Sequence, residues 1–247
     1  ATLLLLAWMK VRGISLFDKD GTFWWGIAAG MLFAGEFLLI FWGLEFTYAS
    51  RDVIFLYLSP FVVALGVHIF IPGEKLPLIQ VIGLVCAFFG IISAFGESFT
   101  LPDGKMIIGD AMFIGAAVLW GATTVLIKAS PLAVIAPSKT LLYQLIVSAF
   151  VLVISSFMLG ESGIMELTPL VWGSLAYQTI WVAAITYTAW FWLVRHYPAA
   201  HLASFTFLTP LFGVFAGALI LGEPISMTLI VALILVGTGI YLVNKPT

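Results

Sequence analysis

Residues 48–74 read YASRDVIFLYLSPFVVALGVHIFIPGE, and residues 198–223 read PAAHLASFTFLTPLFGVFAGALILGE. The second stretch is the first written again. Ala49, Phe55, Leu58 and Pro60 return 150 positions later as Ala199, Phe205, Leu208 and Pro210. One deletion then shifts the register to 149, where Gly73 and Glu74 match Gly222 and Glu223, and Leu84, Gly90 and Ile91 match Leu233, Gly239 and Ile240. Both copies open with apolar runs of the length that crosses hydrocarbon, for which about 20 residues suffice. The doubled segment is a helical hairpin made for lipid.

The rest of the chain agrees. Of 247 residues only 9% are charged and 62% are hydrophobic, where a soluble chain carries about 25% charge. A mean hydropathy of +1.16 leaves too little polar surface for a water-facing shell. A net charge of -2, with its few charges scattered, offers no basic field for nucleic acid. The single Cys86 lies in an apolar run, and His68, His196 and His201 do not cluster, so neither a disulfide nor a metal centre is expected. No cofactor motif stands out, and the phosphate cradle, HExxH zinc pair and GxSxG elbow of common enzymes are all missing. An enzyme is not expected.

Eight complete apolar runs follow one another: Thr22 to Phe46, Asp52 to Ile71, Leu78 to Phe95, Ile107 to Ile127, Thr140 to Leu159, Pro169 to Val194, Ala199 to Leu221 and Met227 to Val243. Ala1 to Met9 is apolar but too short to span, and it lacks the charged start of a signal peptide. It reads as the end of a truncated helix. Alternate loops divide the Lys and Arg residues unequally. One side collects Lys10, Arg12, Lys19, Lys75, Lys128, Lys139, Arg195 and Lys245, the other only Arg51 and Lys105. The positive side stays preferentially in the cytoplasm. The C-terminus is therefore expected inside, with the loops around Ser50, Pro102, Glu161 and Pro224 outside.

Five helices separate equivalent positions, so the two copies enter the membrane from opposite sides. The expected fold is an all-α polytopic membrane protein, a ten-helix bundle of two inverted five-helix repeats. Residues 1–95 form the first repeat, lacking its first helix and part of its second, and residues 107–243 form the second. Repeats of this kind recur in secondary transporters, where two similar halves rock about a midplane site. A duplicated scaffold without transport is the plain alternative, and an ion channel is disfavoured because no ring of carbonyls or like charges is visible.

Tyr48-Ala49-Ser50 with Leu58, Pro60 and Gly73-Glu74, their second copies, and Gly109-Asp110 followed by Leu119-Trp120-Gly121 carry a resemblance over the whole chain. The chain resembles the drug/metabolite transporter superfamily, in particular its bacterial EamA-like ten-helix exporters. The resemblance implies a multi-pass protein of the bacterial inner membrane, a cavity shared by both halves, and export of small metabolites. The aromatic content also resembles that of the amino-acid exporters, which makes apolar and aromatic amino acids the first expectation and other metabolites, nucleotide sugars or drugs the alternative.

Several residues are candidates for the site. Glu36 lies mid-span, where an ionisable group costs at least about 2.5 kcal/mol unless it faces protein or water. It could meet a substrate ammonium, carry a proton, or simply bond a neighbouring helix. His68, nearer a helix end, is a second proton or ammonium candidate or an interfacial hydrogen-bonding group. Pro60 and Pro210 each remove a backbone donor and free the carbonyl four residues earlier, at Leu56 and Thr206, as hinges or as passive kinks. Tyr177, Trp181 and Thr188 share a face at helical spacing, and Gln178 stands beside Trp181. Tyr177, Gln178, Trp181, Trp120, Tyr57, Phe205 and Thr206 are therefore candidates for the substrate-lining wall, with packing aromatics expected among them. Trp24, Trp25 and Trp172 suit an interfacial belt. Asp110, Glu45, Arg51 and Asp52 are expected close to the outer interface, as an extracellular gate or a solvated rim, the rim being the favoured reading. The GxxxG of Gly26 to Gly30 is expected to pack helices within one chain, consistent with a monomer in lipid.

Overall fold

The computed structural model describes residues 1–15, 20–96, 104–161, 163, 167–221 and 227–245. Lys19, Pro102, Gly222, Glu223 and Pro224 lie outside the described residues. Apolar sequence in lipid must satisfy every backbone group internally, and the chain does so as helices. In order they are α1 Thr2–Val11, α2 Phe23–Gly43, α3 Ala49–Leu56, α4 Ser59–Phe70, α5 Leu78–Phe95, α6 Gly104–Ala129, α7 Pro137–Leu159, α8 Pro169–Tyr177, α9 Tyr187–His196, α10 Ala199–Phe205, α11 Leu208–Leu221 and α12 Met227–Asn244. Local chemistry fixes several ends. Pro137 and Pro169 sit in first turns, where a missing N–H costs nothing. The Thr168 hydroxyl accepts from Val171 N–H, and Gly160 closes α7 at φ 71°.

Six helical segments are long and apolar enough to cross a bilayer among the described residues: Phe23–Gly43, Arg51–Phe70, Leu78–Phe95, Gly104–Ala129, Pro137–Leu159 and Met227–Asn244. The runs beginning at Pro169 and Ala199 are helical too, but each is divided. Between α8 and α9 the residues Gln178–Thr186 are π-helical. Hydroxyls of Thr186 and Thr188 donate to the carbonyls of Val182 and Ala184 at 2.6 Å, and side chains that compete for i−4 carbonyls bend helices.

The prolines do more than kink. Pro60 lies in the first turn of a new helix, α4, and the chain breaks just before it at Tyr57 and Leu58. The second copy breaks at the matching place, Thr206 and Phe207, before Pro210. The expectation of a freed Thr206 carbonyl is corrected here, because it accepts the N–H of Thr209 at 3.0 Å. In this second copy a three-residue turn at the break takes up the carbonyl that the missing proline donor would have left alone.

Two compact units emerge, Ala1–Gly35 with Leu126–His196, and Glu36–Val125 with Tyr197–Thr247; their boundary falls inside α2 and α6. In the second unit, α5 and α12 form the core, with Leu84, Ala87 and Ile91 packed among Ala232, Val236 and Ile240. Contact descends to backbone: a Cβ on Gly239 would meet the Gly83 carbonyl oxygen at 2.5 Å and the Ala87 nitrogen at 2.6 Å. Gly83 faces Gly239, Cys86 donates to the Leu235 carbonyl at 3.4 Å, and Gly90 faces Val236 and Ala232. As one number rises the other falls, so the helices run antiparallel.

In the same unit α6 takes the lower part of α2 on one side and α3 and α4 on another. Leu39 meets Gly115, Gly43 meets Phe113 and Thr47 meets Gly109 in antiparallel order, whereas Val62 meets Gly121 and Gly66 meets Val125 in parallel order. In the first unit, Gly26 and Gly30 of α2 press against Tyr143 and Val147 of α7, so the small-residue pattern packs helices within one chain. Phe33 meets Tyr187 edge to face at 6.0 Å, and Lys128 and Arg195 donate to the carbonyls of Val194 and Ile135.

Candidate functional site

In the second unit, polar groups gather where α2, α3 and α6 carry them. Arg51, in the first turn of α3, donates from Nε to Asp110 Oδ1 at 2.8 Å and from Nη2 to Oδ2. The Arg51 side chain is 1% exposed. The rim expected for Arg51 and Asp110 is therefore corrected: this is a buried, two-pronged ion pair, and its geometry offsets the desolvation that would otherwise drive both charges outward. Glu45 does stand exposed.

Glu36 is 6% exposed, and its Oε2 makes no hydrogen bond; neither do Oδ1 of Asp52 and Oγ1 of Thr47. Asp52 lies near enough to act on Glu36 electrostatically. Buried carboxylates without a partner are expensive in a medium without water.

Near this centre the two helix breaks meet. The rings of Tyr57 and Phe207, which occupy equivalent places in the two copies, lie 5.8 Å apart, and the Tyr57 phenol is hydrogen-bonded to the Thr209 hydroxyl. Tyr57 is thus buried against the other break. Thr206 is half-buried with its hydroxyl on the Ala203 carbonyl, Trp120 is half-buried, Pro60 is buried, Pro210 is half-buried and Phe205 is exposed.

His68 is exposed, and its Nδ1 accepts the N–H of Leu76 at 3.1 Å, which ties the α4–α5 loop to its helix. Beyond that loop a small cavity of about 140 Å³ is lined by Glu74, Gln80, Pro198 and His201. There Glu74 Oε2 accepts the Ala199 N–H at 3.2 Å, and Gln80 bonds His201 at 3.1 Å.

The first unit holds a larger cavity, of about 690 Å³, walled by α1, the start of α7, the π stretch and α9. Trp8, Trp192, Arg12, Ser138 and Thr188 supply its aromatic and polar lining. The Arg12 guanidinium stands 4.9 Å from the Trp8 ring centre, and His196 stacks on Trp192. Tyr177 and Trp181 are 60% and 54% exposed, Gln178 is exposed, and none of the three lines this cavity, whereas Thr188 does. The shared face drawn through Tyr177, Trp181 and Thr188 is therefore corrected. It assumed α-helical phase, and the π stretch between them turns Thr188 away.

The sequence reading also missed Gln144. It is 0% exposed on α7, with neither amide atom hydrogen-bonded. The signal was available, since Thr140, Gln144 and Ser148 recur every fourth residue inside an apolar helix. Among the described residues no group of three His, Cys, Asp or Glu side chains is placed to hold a metal.

Residues 1–96 and 107–245 match the model of the EamA-like transporter family. The chain belongs to that family. The uncharacterized transporter YvbV of Bacillus subtilis (strain 168) is 33% identical over 70% of this EamA-like chain, and the uncharacterized transporter YoaV of the same organism is 25% identical over 83% of it. The matches span 55% and 69% of those relatives' own lengths. A protein of known crystal structure superposes with a TM-score of 0.84 over 98% of this chain and 84% of its own, at 18% identity, which shows a common fold. The EamA-like chain is thus a multi-pass membrane protein of a transporter family.

Proposed function

We propose that the protein is a secondary transporter that exports small organic metabolites across the bacterial inner membrane, with its C-terminus in the cytoplasm. Amino acids, apolar and aromatic ones first, are the leading substrates. Movement is by alternating access: two inverted repeats rock about a midplane cavity, with Pro60 and Pro210 at the hinges.

The observation that carries this reading is the meeting of equivalent residues. Tyr57 packs on Phe207, 150 positions on, and Cys86 bonds Leu235, 149 positions on, in antiparallel helices. Residues that touch their own counterparts are what a pseudo-two-fold axis between inverted halves produces, and such halves can exchange conformations at little net cost. Helix breaks at matching sites give each half a place to bend. Within the second unit, Glu36 and Asp52 supply the receptor for an ammonium or a proton.

Uptake into proteoliposomes of labelled amino acids, nucleotide sugars and a cationic dye tests it, with and without unlabelled compound inside. Saturable amino-acid uptake stimulated from the far side is the expected result. Folded, inserted protein that moves no panel member would overturn the substrate class. Glu36→Gln that leaves transport unaltered at every pH would remove both the proton and the ammonium role.

A further inference from the structure

Helix α7 has two kinds of surface. Phe150, Val153, Ile154, Phe157 and Met158 are exposed and apolar, as a lipid-facing surface should be. Thr140, Gln144 and Ser148, one helical face apart from these, are all buried. Gly26 and Gly30 of α2 take the adjoining residues Tyr143 and Val147. The polar face is therefore turned to protein, at the depth of the membrane span Pro137–Leu159.

Its members differ in how they are satisfied. Ser148 donates to the Leu145 carbonyl of its own helix at 3.3 Å. Lys139, next to the stripe, is held by Asp20 at 2.7 Å. Gln144 has nothing: its Nε2 and Oε1 are both buried without a hydrogen bond. A carboxamide offers two donors and an acceptor, and burying all of them unmet lowers stability relative to a leucine of similar volume. A group kept at such a cost in the interior is the signature of a site that answers to something other than folding.

We propose that Gln144, flanked by Thr140, is a polar contact of the substrate path, reading a ligand group that presents a hydrogen-bond donor and acceptor side by side, as the head of a zwitterionic amino acid or a carboxamide does. The proposal rests on the carrier reading above: Gln144 is fully buried in this structure, so it meets a ligand and water only in a conformation of the transport cycle that opens its face. The amide is neutral, so it selects by geometry and by the penalty it imposes on ligands that leave it unpaired.

The test needs no known substrate. Cys86 is the one cysteine, so Cys86→Ser provides a thiol-free background. In it, Gln144→Cys and Phe150→Cys are exposed in proteoliposomes to the water-soluble reagent 2-(trimethylammonium)ethyl methanethiosulfonate, which reacts with thiolates in water. Gln144→Cys should react about tenfold faster or more, because a thiol in lipid or dry packing stays protonated. Gln144→Leu should melt at or above the wild-type temperature. Equal, slow modification at both positions would overturn the proposal. A lowered melting temperature for Gln144→Leu would overturn it as well, since it would make Gln144 a structural hydrogen-bonding group. Fast labelling in a protein that fails the uptake panel would leave the site standing and fault the substrate class instead.

Discussion

Removing the Asp110 carboxylate while Arg51 remains should be among the most damaging single changes available. Arg51 donates twice to Asp110 and has almost no access to solvent. Phe55, whose ring centre is 5.9 Å from the guanidinium, is a weak substitute. Breaking a buried ion pair by removing one member costs about 3–5 kcal/mol, because the remaining charge stays buried without its main counter-charge. For a chain of this size each kcal/mol moves the melting temperature by about 2–4 °C, so Asp110→Leu should melt about 6–20 °C lower. The double change Arg51→Met with Asp110→Leu replaces both charges by apolar groups of similar size and should recover most of that loss. Melting of detergent-solubilised protein, followed by tryptophan fluorescence, reads all four corners of the cycle. A single variant within about 2 °C of wild type, or a double variant no better than Asp110→Leu, would refute the claim that the pair is a closed, self-satisfying unit.

Gly239→Ala puts a methyl group 2.5 Å from the Gly83 carbonyl oxygen, so α5 and α12 must part by about 1 Å; it should lose about 1–3 kcal/mol in the same assay, whereas Gly213→Ala, which meets nothing, should not. Glu74→Leu deprives the Ala199 N–H of its acceptor and should cost about 0.5–2 kcal/mol, with faster amide exchange at the start of α10, while Glu74→Gln keeps an acceptor and should be milder. Lys139 and Thr22 bond Asp20 and hold its carboxyl well below the usual carboxylate range. A depressed folded-state value stabilises above the unfolded value, so the contribution is present above about pH 4 and is lost as pH falls below it. Lys139→Met should flatten that acid limb of the melting curve.

Spans were legible because lipid enforces one rule on every turn: apolar residues outward for about 20 positions. Leu78, Leu159 and Met227 mark ends that the sequence alone places correctly. Breaks were legible only in part. Pro60 and Pro210 announce lost donors, but whether a helix kinks or stops depends on which neighbouring carbonyl finds a new partner, as Thr206 does with Thr209. The π stretch is subtler: the hydroxyls of Thr186 and Thr188 bond carbonyls four residues back, but those of Thr123 and Thr124 do so inside an unbroken α-helix, so no residue pattern announces it. Arg51 and Asp110 were expected to be solvated, and they are buried against one another instead; 59 positions of chain separate them and nothing in either run announces the other. Glu36 was legible as costly, while Gln144 hid in a helix that otherwise reads as plain hydrocarbon.

In a membrane, a polar side chain is informative according to what satisfies it. Arg51 with Asp110, Lys139 with Asp20 and Gln80 with His201 are closed pairs. In each of them the two partners meet one another's charge or hydrogen-bonding need inside the fold, which is the use of such pairs for register and stability. Glu36, Asp52 and Gln144 are open: Glu36 and Gln144 are buried, Asp52 is half-buried, and each keeps a buried atom without a hydrogen bond. Leaving such atoms unmet costs folding free energy. On the carrier reading proposed above, a proton, a cation or a polar ligand completes them for part of the time. Completion for part of the time is what a carrier requires, because a site satisfied permanently by the protein could neither take up its substrate nor let it go.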